Sequence, residues 1–376
     1  MHDMTLLTSE FDPFRGGIGT VSRELALAAT RLGVNLRLVA PDYLGTDHRE
    51  IDATLPFPVE RFKAGPYSGR QLPKIARVAL AYAKQSRGTR LVAIDYPFLE
   101  TLALTSRLHR APFDAILHGS EVRRAAKFPR QLLASRIFKT PQRLIANSDF
   151  TKRALIAHHP SVPEESVTVA PLGVTQRWFE PSHVADIRQK LHLGDKRIIV
   201  CTGRITRRKG QLSLVRALEK LASPDSFAVV IVGKAMPADA EYLAAIETEA
   251  KRCPVDVFMR SDLDDDSLRA LYAEADLFCL PGSAETTAIE GFGLVFLEAA
   301  AQGLPAVAGN VGGVPEAVKD DVSGVLVAPD NVEALSAELN RVLGDDALLK
   351  CLSAGALQHA KASTWERFAK IALNLS

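Results

Sequence analysis

At 376 residues, with 47% hydrophobic and 24% charged side chains, the chain has the composition of a soluble globular protein and the length of two domains rather than one. No apolar run approaches the length of a membrane span, and four scattered cysteines without a C-x-x-C pair (Cys201, Cys253, Cys279, Cys351) fit neither a disulfide framework nor a zinc site. The net charge of +2 conceals an asymmetry: residues 1–178 carry +9 and the remainder −7, so the halves are expected to meet different partners.

The opening residues lack the basic start and long apolar core of a secretory leader, which points to a cytoplasmic protein. They run into Gly16-Gly17-Ile18-Gly19, a turn before an amphipathic helix predicted over Thr20–Leu32. Glycines there let a ligand approach the backbone, and free amides at a helix start attract phosphate. An ordinary tight turn is the competing reading, and a dinucleotide site is another, with Asp42 where a ribose-binding acid would fall but the third glycine missing.

Short β-rich runs then alternate with helix-length segments: Leu36–Val39, Leu91–Ile94, Ala115–Leu117 and Arg143–Ala146, then Ile198–Thr202, Phe227–Val232, Val255–Phe258, Leu277–Leu280 and Ala306–Ala308. This pattern predicts an α/β chain built of βαβ units around parallel sheets, with ligands at the carboxyl ends of the strands. His118 stands at such an end, where a lone histidine is more often structural.

Between Val122 and Ser148 lie seven Lys/Arg and no acid, beginning with Arg123, Arg124, Lys127 and Arg130, interleaved with Leu132, Leu133, Ile137 and Phe138. The segment suits an acceptor site, an anionic membrane surface or a solvated basic face, and the sequence leaves all three open. The boundary between halves is expected at Pro171–Val174, giving domains 1–173 and 174–362 and a closing helix 363–376 that packs back toward the first domain.

In the second half, Gly203-Arg204-Ile205-Thr206-Arg207-Arg208-Lys209-Gly210 ends a strand and opens a helix near Gln211. Arg204 and Lys209, bracketed by glycines at a helix start, can neutralise a diphosphate leaving group without a metal ion, whereas Arg207 and Arg208 read as an ordinary solvated turn. Downstream, Glu290-Gly291-Phe292-Gly293-Leu294-Val295-Phe296-Leu297-Glu298 places a glycine loop before a helix starting near Leu294. Glu298 then falls one turn into that helix on an apolar face, so it should meet a polar partner such as ribose hydroxyls.

With Ala146-Asn147-Ser148 and Ala170-Pro171-Leu172-Gly173-Val174, these motifs lie in the order in which they resemble glycosyltransferase family 4, over nearly the whole chain. The resemblance implies a GT-B fold, two Rossmann-like domains facing across a cleft, and a retaining, metal-independent hexosyl transfer with no cofactor. It implies that Glu290 contacts the donor sugar, that Glu298 holds the ribose and that Arg204 and Lys209 grip the diphosphate. Gly203, Met259, Gly291 and Phe292 would line the donor, Gly293, Leu294 and Val295 would add amides, and Gly17 would contact the phosphate from the other domain. His118-Gly119 matches the family's His-Gly motif, whose histidine orients the transferring sugar.

Two departures bear on the donor. Arg260 stands where a glycine is common beside the nucleobase, and the loop 282–289 is long, as in some bacterial mannosyltransferases. The latter favours GDP-mannose, with a UDP-sugar as the alternative, while the basic surface, of the kind used by family members that glycosylate lipid carriers, favours a lipid-linked or saccharide acceptor over a small soluble one. An NAD(P)-dependent oxidoreductase would leave Arg204, Lys209 and the two glutamates without a task. A nucleic-acid binder would need a continuous basic track, which the acidic second half argues against.

Overall fold

The computed structural model describes residues 3–14, 16–43, 47–65, 71–86, 88–125, 131–284 and 290–375, apart from the side chains of residues 123, 124, 131 and 132. The chain divides into two compact units, Met1–Gly173 with Trp365–Ser376, and Val174–Thr364.

The first unit is a seven-stranded parallel sheet of β1 (Met4–Leu7), β2 (Leu36–Asp42), β3 (Val59–Lys63), β4 (Arg90–Ala93), β5 (Phe113–Leu117), β6 (Arg143–Ala146) and β7 (Val167–Val169), in the order β3-β2-β1-β4-β5-β6-β7. Its central strands read as continuous apolar runs because both faces are covered by helices. Leu6, Leu7, Leu91, Val92, Ala115 and Leu117 are fully buried. The order reverses between β1 and β4, so the loops leaving these two strands face each other across a switch point.

The last helix, Trp365–Leu373, packs on the first, Gly17–Arg31. It buries Trp365 and Phe368, each contributing about 1.5–3 kcal/mol of burial free energy. Two guanidiniums hold its final carbonyls: Arg143 donates to Ala372 O at 3.3 Å and Ile371 O at 3.1 Å, while Arg90 donates to Leu373 O and pairs with Asp114. Cations at a helix C-terminus complement its dipole.

The second unit repeats the plan with β8 (Arg197–Thr202), β9 (Phe227–Val232), β10 (Asp256–Arg260), β11 (Leu277–Leu280), β12 (Ala306–Gly309) and β13 (Gly324–Val327), all parallel, in the order β10-β9-β8-β11-β12-β13. Here the switch point lies between β8 and β11, whose outgoing loops carry the basic turn and the Glu290 motif. The strands β1, β3 and β13 extend the runs singled out by sequence pattern. Among the described residues no helix is long and apolar enough to cross a membrane.

Candidate functional site

The basic turn of the second unit is built from its backbone outward. Beyond β8, Gly203 N–H still donates to Val232 O at 3.0 Å. Thr206 then caps a short 3-10 turn, Arg207–Lys209, its hydroxyl accepting from Arg208 N at 3.3 Å. Gly210 follows at φ +73, where a Cβ would sit 2.5 Å from Gly282 O, so glycine alone lets this turn lie against the loop leaving β11. That loop is hydrogen-bonded to the turn: Gly282 N donates to Lys209 O at 3.2 Å and Ser283 N to Arg208 O at 3.0 Å.

Across this contact the side chains converge. Lys209 Nζ lies 3.0 Å from Glu290 Oε2, and Arg208 pairs with the same oxygen; the three side chains are only 9%, 15% and 14% exposed for Lys209, Arg208 and Glu290. Burial alone pushes the Glu290 carboxyl up, but Lys209 and Arg208, reinforced by Arg204, outweigh it and hold its pKa below the usual glutamate value. With Leu280, Gly282, Phe296, Val311 and Val314 these residues line a small recess. Glu290 is also fixed through its backbone, its carbonyl accepting from Gly313 N at 2.9 Å.

The helix Leu294–Ala301 starts beside this recess, capped by Gly293 at φ +92. Its first amides have no partner within the helix, as at any helix start. Leu294 and Val295 are half-buried there, whereas Phe292 is 3% exposed and belongs to the core. Glu298 follows one turn on. Desolvation pushes its carboxyl up to about 7, Asp265 adding to the rise and Arg177 and Lys209 opposing it.

Arg208, expected to be solvated, is instead half-buried against Glu290, while Arg204 is exposed and its carbonyl accepts from Gln211 Nε2 at 2.9 Å. Nothing local distinguishes Arg208, because its partner lies 82 residues away. Met259 is half-buried on β10, and Arg260 folds back along its own strand, donating to Met259 O at 3.0 Å and stacking 5.6 Å over Phe258.

In the first unit, Gly17 is exposed at the start of its helix, but the amide of Gly19 already donates to Glu10 Oε1 at 3.0 Å. An internal carboxylate therefore takes one of the amides at this helix start. His118, beyond β5, holds its imidazole Nε2 2.7 Å from Ile94 O. A carbonyl can only accept, so Nε2 carries a proton and donates it to Ile94 O. The amide of Gly119 donates to the buried Glu121 at 3.0 Å, and that of His118 to the same oxygen. Of the basic segment, Lys127 and Arg130 lie outside the described residues, as do the side chains of Arg123 and Arg124.

Two family models match the chain: glycosyl transferases group 1 over residues 184–359 and glycosyltransferase family 4 over residues 15–177. It is 35% identical over 190 residues to a GDP-mannose-dependent alpha-(1-6)-phosphatidylinositol monomannoside mannosyltransferase of Mycobacterium tuberculosis, covering 49% of this chain and 48% of that one. It is 34% identical over 262 residues to a D-inositol 3-phosphate glycosyltransferase of Catenulispora acidiphila, covering 67% and 60%. The chain thus spans about half to three fifths of the length of these relatives. Among solved structures, Anabaena HepE in complex with UDP and glucose superposes with a TM-score of 0.80 at 20% identity over 98% of both chains. Sucrose-phosphate synthase from Thermosynechococcus elongatus does so at 0.80 and 24%, over 98% of this chain and 96% of that one, and these likenesses show the fold.

Proposed function

The chain belongs to the group 1 and family 4 glycosyltransferases, with the GT-B fold, and from that premise we propose that it transfers a hexose, mannose favoured, from a nucleoside diphosphate to a lipid-linked or saccharide acceptor, with retention and without a metal ion. The observation that carries the proposal is the cluster of Lys209, Arg208 and Glu290 at the switch point, beside the Gly293 helix start. As the sugar departs, negative charge grows on the diphosphate. Lys209, Arg204 and the first amides of the Leu294–Ala301 helix are the groups to stabilise it. Glu290 contacts the sugar rather than attacking it, and a phosphate oxygen takes the acceptor proton on the face the leaving group vacates. Glu298 holds the ribose, and His118 orients the sugar.

A screen of UDP-, GDP- and ADP-sugars for hydrolysis tests this directly. Turnover is expected with GDP-mannose and in EDTA; strict dependence on a divalent ion would overturn the phosphate clamp. The mycobacterial relative's named acceptor supports a lipid-linked one, whereas the relative named for inositol 3-phosphate supports the second reading, a small soluble acceptor. On the helix Gln131–Lys139 the expected apolar face is turned inward, Ile137 and Phe138 being buried in the core, so Leu133 and Lys139 are the exposed side chains with which a cytoplasmic protein would dock on anionic lipid. Retention by anionic but not neutral vesicles at low salt is the expected outcome, and equal recovery from both would remove the membrane from the account.

A further inference from the structure

We propose that Arg208 is a positioning residue that holds the Glu290 carboxylate in place while Lys209 is given over to the diphosphate. The inference rests on the donor-site reading above and deepens it.

Its first ground is connectivity. Arg208 binds both ends of the loop 283–290: its carbonyl accepts from Ser283 N at 3.0 Å, and its guanidinium pairs with Glu290. The Gly210–Gly282 contact keeps this attachment short. Ser283 and Glu290 are thereby both held to one residue of the basic turn.

The second ground is charge. Glu290 Oε2 takes two cations at once, Lys209 Nζ at 3.0 Å and Arg208. An arriving diphosphate competes for Lys209. Were Lys209 the sole partner, its turning away would leave a carboxylate only 14% exposed without a counter-ion, which is costly. Arg208 removes that cost by keeping its own bond to Glu290. A guanidinium, with several donors in a fixed plane, suits the task better than a single ammonium.

The test uses the full chain carrying Arg208→Gln and Arg208→Lys, with Glu290→Gln, Lys209→Gln and the Arg208→Gln/Glu290→Gln double variant. A positioning role predicts that Arg208→Gln lowers kcat by about 10²-fold, the scale of losing one preorganised polar group. Donor KM and nucleoside diphosphate affinity should move less than about threefold, Arg208→Lys should recover part of the loss, and the double variant should be no worse than Glu290→Gln, as for residues acting through one another. Diphosphate affinity falling as far as in Lys209→Gln would make Arg208 a direct phosphate ligand and overturn the proposal. An unchanged kcat would do the same. If the wild-type chain bound no nucleoside diphosphate, the donor-site reading itself would fall. The Arg208–Glu290 pairing would then be judged by carbon NMR titration of Glu290, whose pKa should rise in Arg208→Gln and whose constancy would refute the pairing.

Discussion

The two glycine-bounded turns invite comparison, because both leave a β-strand at a switch point, open a helix and already hold an internal carboxylate. In the first unit Glu10 accepts from the Gly19 amide, a neutral donor. In the second, Glu290 is shared by Lys209 and Arg208, with the charge of Arg204 also felt. In the first turn the carboxylate takes up the Gly19 amide, one of the donors an anion would use. One carboxylate among three cations leaves a surplus of positive charge that a diphosphate can use. Similar local geometry therefore carries different charge, since the second turn sets Lys209, Arg208 and Arg204 around its carboxylate.

The largest expected effect breaks that contrast at its charged end. Lys209→Ala should reduce transfer by about 10²–10³-fold with the fold intact, whereas Glu10→Gln, which keeps the shape but removes the charge, should cost no more than about 1 kcal/mol of stability. Turnover assays and thermal melts on the two variants check this together, and comparable activity losses would erase the distinction.

Glu298 offers a pH test within the second turn's surroundings. Its pKa of about 7 lies above the ordinary glutamate value of 4.5, so the folded state retains a proton that the unfolded chain has lost. Its contribution to stability is present below about 4.5, is lost as pH rises toward 7 and stays flat above. Glu290, shifted down, acts oppositely, its contribution being lost as acid protonates it. Glu298→Gln should therefore raise the Tm relative to wild type more at pH 8 than at pH 5. Ribose hydroxyls bonding to the ionised carboxylate would also make nucleotide binding tighten with pH by up to about tenfold per unit below 7, a slope absent from the variant.

The smallest effects separate close approach from structural need in the first turn. A Cβ on Gly16 would fall 2.0 Å from Glu10 Oε1, whereas one on Gly17 meets nothing within 4 Å. The Cβ of Gly16→Ala would meet only the carboxylate end of Glu10, which can swing aside by giving up its bond to Gly19, so that variant should cost about 0.5–1.5 kcal/mol, and Gly17→Ala should stay within about 0.5 kcal/mol. If Gly17 receives a phosphate, Gly17→Ala nonetheless slows transfer; full activity in that variant would remove it from the site.

Much of this was legible in the chain. Apolar runs ending in turn residues marked parallel strands, and β6, β9 and β11 span the segments expected of them. Lys209 and Glu290 stood out as charges beside glycines at strand ends. Arg208 did not, because an arginine in a basic turn looks solvated until its partner is known, and Glu10 gave no signal before the turn folded over it.

What the sequence by itself determined is therefore local and periodic: alternating strands and helices, glycines where the backbone must turn, and motifs whose order identifies the family. Only the tertiary structure decided which charges meet. Burial and partner geometry set the state of Glu290, Glu298 and Glu10, and these arise from contacts between loops that the sheet order brings together. Electrostatic free energy depends on distance and desolvation, and neither exists along an unfolded chain.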